Sequence, residues 1–96
     1  MKMNPLIESK REDILRIAAN HGVREVSVFG SFARGEEKPG SDIDFLVKAG
    51  EKTSAWFPTG LIKDLETLLG RKVDVVTEDS IYWLLRRRIL KEAQPL

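Results

Sequence analysis

The stretch from Val28 to Val47, VFGSFARGEEKPGSDIDFLV, constrains the fold of this chain more than any other part of it. It predicts a buried strand, a Gly30-Ser31 turn, a short polar loop and a second strand that carries Asp42 and Asp44. Glycine lets a backbone approach a bulky anion because no Cβ stands in the way. The residues after Ser31 suit the first turn of a helix, where backbone N–H groups lack internal partners. The stretch therefore predicts an anion site between two strands.

The paired aspartates form the second half of this predicted site. In an extended chain, Asp42 and Asp44 lie about 6.6 Å apart on one face. Ile43, Phe45 and Val47 then point to the opposite, buried face. Two neighbouring carboxylates repel each other unless cations sit between them, and hard divalent ions prefer oxygen ligands. An anion site facing paired carboxylates predicts metal-assisted phosphoryl or nucleotidyl transfer.

Length and charge limit the other classes of function. The 96 residues predict one domain, 1–96, and the net charge of +1 provides no broad basic field for long nucleic acid. The absence of cysteine excludes disulfides, thiol nucleophiles and thiolate metal sites. The sequence contains no signal-peptide pattern and no apolar run of about 18 residues, so we expect a cytoplasmic protein with no membrane segment.

The apolar periodicity predicts an α/β (α+β) domain in the order α-β-α-β-α-β-α, with helices packed on a three- to four-stranded mixed sheet. We expect the last helix to be capped by Asp79 or Ser80, with the apolar stripe Ile81, Leu84, Leu85 and Ile89. The predicted elements are helices over about 5–20, 58–69 and 80–93, a short helical turn after Ser31, strands over 24–29, 42–48 and 73–77, and a polar connection over 49–56.

The motif also resembles that of a known family. Gly30-Ser31, ten intervening residues and Asp42-Ile43-Asp44 resemble the GS-x10-DxD signature of the DNA polymerase β-like nucleotidyltransferase superfamily. The fuller pattern, Gly-Ser-Phe-Ala-Arg-Gly followed by Ser-Asp-Ile-Asp, is similar to the minimal nucleotidyltransferases of the MNT antitoxin family. This resemblance covers nearly the whole chain.

The family has a third carboxylate on a later strand, and Asp74 in VDVV is the position that fits. The resemblance thus implies that Asp74 is a catalytic metal ligand. The alternative is a strand-edge aspartate that forms an ion pair with Arg71 or Lys72.

Several other residues near the motif have two interpretations. Arg34 could hold a nucleotide phosphate, or it could pair with Glu36 or Glu37. Ser41 could hydrogen-bond the loop and orient Asp42, or it could merely cap the turn.

Outside the motif, His21 is predicted at the end of a helix, where a favourable contact with the helix dipole explains its presence without a catalytic role. The run Arg86-Arg87-Arg88 is typical of a solvated helix face. Together with Trp56 and Tyr82-Trp83, it could also form a surface for a protein partner.

The resemblance further implies an activity. It implies transfer of AMP from ATP, with two Mg²⁺ ions held by Asp42, Asp44 and Asp74. The acceptor would be a protein hydroxyl, namely a tyrosine of a HEPN-type ribonuclease toxin, in a hetero-oligomeric, type VII-like toxin–antitoxin pair. Two alternatives stay open: a non-catalytic antitoxin that acts by binding the toxin, and an adenylyltransferase with a small-molecule acceptor.

Overall fold

The alternating apolar segments form a four-stranded mixed sheet in the computed structural model, which describes residues 3–50 and 57–96. In the order β3-β2-β1-β4, β1 is antiparallel to both β2 and β4, while β2 and β3 are parallel. This confirms the predicted small α+β domain with a mixed sheet. The strands are β1 (Val23–Phe29), β2 (Ile43–Ala49), β3 (Val73–Thr77) and β4 (Gln94–Pro95).

Two longer helices, α2 and α4, pack against each other and against the sheet. The β2–β3 connection contains α4, as a parallel strand pair requires. The helices are α1 (Pro5–Ser9), α2 (Arg11–Asn20), α3 (Ser31–Arg34), α4 (Thr59–Leu69) and α5 (Trp83–Glu92), and a 3₁₀ helix spans Glu78–Ser80.

The hydrophobic core lies between the sheet and the helices. Val28 of β1, together with Ile43, Phe45 and Val47 of β2, is fully or almost fully buried, as the strand alternation predicted. The helical contribution comes from α1, α2, α3 and α4, whose buried residues are Ile7, Ile14, Ala18, Phe32, Ala33, Leu61, Leu65 and Leu69. The opposite face of β2 carries Asp44, which is half-buried, together with the buried Leu46.

The first helical segment was predicted as one helix but forms two. Asn4 caps α1 as expected, because its side chain accepts a hydrogen bond of 2.8 Å from the N–H of Leu6. The chain leaves helical geometry at Lys10, where φ is −109°. This break was invisible to the sequence analysis, since a one-residue departure leaves the apolar spacing intact.

The prediction for the last helix was wrong in its start and in its packing. The Ser80 hydroxyl closes a 3₁₀ turn by donating to the carbonyl of Thr77, at 3.0 Å, so it does not cap a helix. The helix begins instead at Trp83, after Tyr82 in an extended conformation, and ends at Glu92. Every residue of α5, all of which the structure describes, is exposed or half-buried. The apolar stripe of this helix therefore does not enter the core.

The connection predicted over 49–56 begins later than expected, because β2 continues through Ala49. Residues 51–56, including Trp56, lie outside the described residues. Among the helices of the two described ranges, none has both the length and the apolar character needed to cross a membrane.

Candidate active site

The ends of β1 and β2 border a cavity of about 580 Å³ that collects most of the predicted site residues. One wall comes from the Gly30-Ser31 turn and α3, a second from the loop before β2, and a third from one face of α5. The lining residues are Phe29, Gly30, Ser31, Arg34, Gly40, Ser41, Asp42, Asp44, Leu85, Arg88, Ile89 and Glu92.

Gly30 allows the backbone of the turn to lie against the side chain of Asp44. It has φ 72° and ψ −153°, a backbone conformation that is essentially restricted to glycine. A Cβ at this position would lie 3.1 Å from Cγ of Asp44 and would overlap one of its carboxylate oxygens. Phe29 is the register partner of Asp44 across the antiparallel pair, which brings the turn and the carboxylate together. Glycine is therefore required at position 30 for two reasons: the backbone conformation is strained for other residues, and a Cβ would overlap the Asp44 side chain.

Acidic charge is concentrated around Asp44. Burial raises the pKa of this carboxyl above its ordinary value, and the negative charges of Asp74 and Asp42 raise it further. Asp74 is the register partner of Asp44 in the parallel β2–β3 pair, so the two side chains share one face of the sheet. The fold thus brings three predicted carboxylates into electrostatic contact.

Asp74 nevertheless differs from the other candidates, because it is exposed and is absent from the lining of the cavity as the described residues define it. The alternative ion pair with Arg71 or Lys72 does not form: over residues 3–50 and 57–96, no basic side chain pairs with Asp74. In the same ranges, no group of three acidic or histidine side chains is already gathered closely enough to hold a metal ion.

Arg34 points into the cavity and forms an ion pair there that the sequence did not reveal. Its Nη1 lies 3.1 and 3.2 Å from the two carboxylate oxygens of Glu92, and its Nε lies 3.2 Å from Glu36. Oε1 of Glu92 also accepts a hydrogen bond of 3.0 Å from the backbone N–H of Gly30. The carboxylate of Glu92 thus occupies the anion site that was predicted at the Gly30-Ser31 turn.

The sequence did not indicate a role for Glu92, because the apolar stripe of the last helix predicted packing on the sheet and not a wall of the cavity. The available signal was the spacing of Leu85, Arg88, Ile89 and Glu92, which places them on one helical face.

The loop before β2 is fixed by Arg71, another residue whose role the sequence did not show. Its guanidinium donates to the carbonyls of Lys38 and Ser41, at 3.1 and 3.0 Å, and stacks 5.0 Å from the centre of the Phe32 ring. The Ser41 hydroxyl accepts from the N–H of Lys38 at 2.9 Å, a hydrogen bond within the loop that is compatible with both interpretations of Ser41. These contacts set the position at which Asp42 enters the cavity.

Among the remaining candidates that the structure describes, Arg88 lines the cavity and the others do not. His21 contacts Asp64 on α4, with 2.7 Å between Nε2 and Oδ2. Tyr82 and Trp83 are 58% and 72% exposed at the start of α5, and the arginines at 86–88 are exposed as well.

Comparisons with known proteins agree with this geometry. The model of the nucleotidyltransferase domain family matches residues 10–96. A Methanocaldococcus jannaschii protein, named as a candidate protein adenylyltransferase, is 50% identical over 86 residues, which cover 90% of this chain and 91% of that protein. The protein adenylyltransferase MntA of Thermococcus cleftensis is 44% identical over 71 residues, covering 74% of this chain and 72% of its own.

Solved structures have the same fold. A structure described as a candidate minimal nucleotidyltransferase superimposes with a TM-score of 0.83 at 42% identity, covering 94% of this chain and 92% of that one. A Shewanella oneidensis complex, described as a tri-AMPylated HEPN toxin with its MNT antitoxin, aligns with a TM-score of 0.69 at 19% identity, covering 92% of this chain and 69% of that chain. The second similarity is one of fold.

Proposed function

Because this chain belongs to the nucleotidyltransferase domain family, we propose that it is an antitoxin that transfers AMP from ATP to a hydroxyl group of a protein partner. The observation that carries the proposal is the close pairing of an anion-holding turn at Gly30 with the crowded carboxylate of Asp44. A nucleotidyltransferase needs both features, since it must hold a polyphosphate and stabilise the charge that develops on it.

Two groups are suited to hold the phosphates. The N–H of Gly30 and the guanidinium of Arg34 already converge on the carboxylate of Glu92, which stands in for phosphate oxygens at this position. Ser31 adds a hydroxyl and lines the same cavity. In this proposal these groups bind the triphosphate and orient its α-phosphorus towards Asp42 and Asp44.

The carboxylates are suited to hold two Mg²⁺ ions. The donor set consists of oxygens, and the repulsion that raises the pKa of Asp44 is relieved when a cation binds between Asp42, Asp44 and Asp74. Asp42 and Asp74 are both exposed, so their side chains can move towards Asp44 to complete the ligand set. Bound magnesium supplies charge neutralisation of the phosphates and lowers the pKa of the acceptor hydroxyl.

The reaction is an in-line displacement. An oxygen of the acceptor forms a bond to the α-phosphorus, the bond between the α-phosphorus and the bridging oxygen breaks, and pyrophosphate leaves with that oxygen. Asp74, which is exposed and lies beside Asp44 in the sheet, accepts the proton of the acceptor hydroxyl.

The partner is proposed from the relatives. Two relatives are named as protein adenylyltransferases, and the Shewanella complex joins an MNT antitoxin to an AMPylated HEPN toxin. We therefore propose a HEPN-type ribonuclease as the acceptor, with a tyrosine as the modified residue and a hetero-oligomer as the working state.

The test is to incubate the protein with α-labelled ATP, Mg²⁺ and a purified HEPN-domain protein encoded beside it. We expect label on the partner and a mass gain of whole AMP units on a tyrosine. The double variant Asp42→Asn with Asp44→Asn should lose transfer, while Asp79→Asn, an exposed aspartate outside the cavity, should keep it.

Two results would contradict the proposal. Unchanged labelling by the double variant would remove the aspartates from the mechanism. Tight binding of the partner without any label would instead indicate an antitoxin that acts by contact alone.

A further inference from the structure

Glu92 occupies the position that the proposed function assigns to a nucleotide phosphate. Its carboxylate accepts from the N–H of Gly30 at 3.0 Å and pairs with Nη1 of Arg34 at 3.1 and 3.2 Å. The Glu92 side chain is only 18% exposed in this arrangement, so it lies inside the cavity. A phosphate oxygen and a carboxylate oxygen cannot both accept from the same two donors at the same place.

The fold keeps Glu92 close to these donors. Two residues after it, Gln94 donates from its side chain to the carbonyl of Ala33 at 2.8 Å, and Gln94–Pro95 pairs with β1. A group tethered by so short an anchored segment has a high effective concentration at its binding position. Glu92 therefore competes well with a ligand in solution.

The helix that carries Glu92, α5, can move without disturbing the hydrophobic core. All residues of α5 are described, and each is exposed or half-buried, so a shift of the helix uncovers no part of the core. If α5 shifts, the part of the helix that moves away from the cavity is the wall formed by Leu85, Arg88, Ile89 and Glu92. Displacement of Glu92 thus breaks its contacts with Gly30 and Arg34 but leaves the packing of the core in place.

From these contacts we propose that Glu92 is an intramolecular competitor of the nucleotide phosphate, and that ATP must displace it before transfer begins. The inference rests on the proposed function, because it takes the Gly30 and Arg34 donors to be the phosphate site. The apparent dissociation constant of ATP equals the intrinsic one divided by the fraction of molecules with the site open. A contact that is closed nine-tenths of the time therefore weakens nucleotide binding about tenfold.

The chain offers a matched control for this proposal. Glu36 also pairs with Arg34, at 3.2 Å from its Nε, but the Glu36 side chain is 63% exposed. Over the described residues, Glu36 has no hydrogen bond to Gly30. Removing either glutamate frees Arg34 from one partner, whereas only the removal of Glu92 frees the N–H of Gly30.

The experiment measures binding of Mg²⁺ and AMP-PNP, an analogue of ATP with an imido bridge between its β- and γ-phosphates, by titration calorimetry in the absence of any acceptor protein. We expect Glu92→Ala to bind about tenfold more tightly than the unaltered chain, Glu92→Gln to show a smaller gain, and Glu36→Ala to stay within about twofold. If Glu92→Ala binds equally or more weakly while the unaltered chain binds and transfers AMP, the competitor role is overturned and the proposed function stands. If the unaltered chain does not bind the nucleotide at all, the proposed function and this inference both fail.

A second measurement needs no variant, which matters if Glu92→Ala folds poorly. In hydrogen exchange of the unaltered chain, AMP-PNP should slow exchange at the Gly30–Arg34 turn and speed it in α5, since the helix loses its contact with the turn. Slower or unchanged exchange in α5, with protection at the turn, would overturn the proposal.

Discussion

Substitution of Asp44 by asparagine should stabilise the metal-free protein while it abolishes transfer. Asp44 is half-buried beside Asp74 in the parallel strand pair, and Asp42, two residues before it and just ahead of β2, lines the same cavity as Asp44. Burial first, and then these two charges, raise the pKa of its carboxyl, so the ionised form of Asp44 is unfavourable in the folded chain. Asparagine keeps the shape of the side chain and removes the charge.

The size of the effect follows from the spacing of the strands. Neighbouring strands lie about 4.8 Å apart, and two like charges about 5 Å apart repel by about 0.8 kcal/mol in water and about 3 kcal/mol at an effective dielectric constant of about 20. Because Asp74 is exposed, the value near that of water applies. We therefore expect Asp44→Asn to raise the free energy of unfolding by about 1 kcal/mol, which corresponds to about 4–8 °C in Tm for a domain of this size.

The pH dependence of this difference has a definite sign. A carboxyl with a raised pKa in the folded state contributes stability below its unfolded pKa of about 3.9 and loses that contribution as the pH rises through the folded pKa. The difference between Asp44→Asn and the unaltered chain should therefore be near zero below about pH 3.9 and should grow towards neutral pH.

Urea unfolding from pH 3 to pH 8 in the presence of EDTA measures this difference. Asp79→Asn serves as the control, because Asp79 is exposed outside the cavity and its substitution should change stability by less than about 0.5 kcal/mol. A variant of Asp44 that is less stable than the unaltered chain at pH 7, or a gap that widens as the pH falls, would refute the reasoning.

Three further outcomes are expected. Gly30→Ala should abolish transfer and lower the free energy of unfolding by about 1–3 kcal/mol, because the new Cβ overlaps Asp44. The control is Gly35→Ala, where φ is 71° and nothing lies within 4 Å of the new Cβ, and it should cost about 1–2 kcal/mol and keep transfer. Equal activities of the two variants in a transfer assay would contradict this. Phe45→Ala should lower the free energy of unfolding by about 3–5 kcal/mol, and Leu84→Ala, exposed on α5, by less than about 0.5 kcal/mol, as urea titration can check. EDTA should stop transfer and excess Mg²⁺ should restore it in the labelled-ATP assay, and transfer that persists without the metal would argue against the proposed ligands.

Much of the fold and part of the site could be predicted from local patterns. The Gly30-Ser31 turn follows from the freedom of glycine and the Asp42–Asp44 spacing from the period of a strand, while the pairing of β1 with β2 brings the two together. The burial of Phe45 follows from the same alternation. The break at Lys10 and the true start of α5 could not be predicted, because turn contacts of single residues decided them.

The sequence by itself determined three of the four strands, the acidic pair and the glycine turn, since each depends on residues within a few positions of one another, whereas β4 (Gln94–Pro95) was not predicted. Only the tertiary structure decided that Glu92 reaches Gly30, 62 positions earlier, and that Arg71 fixes the loop at Ser41, 30 positions earlier. The physical reason is that such contacts depend on how β1, β2 and the chain end are packed together. Periodicity says that α5 has an apolar side, but the neighbours that this side meets are set by the whole fold.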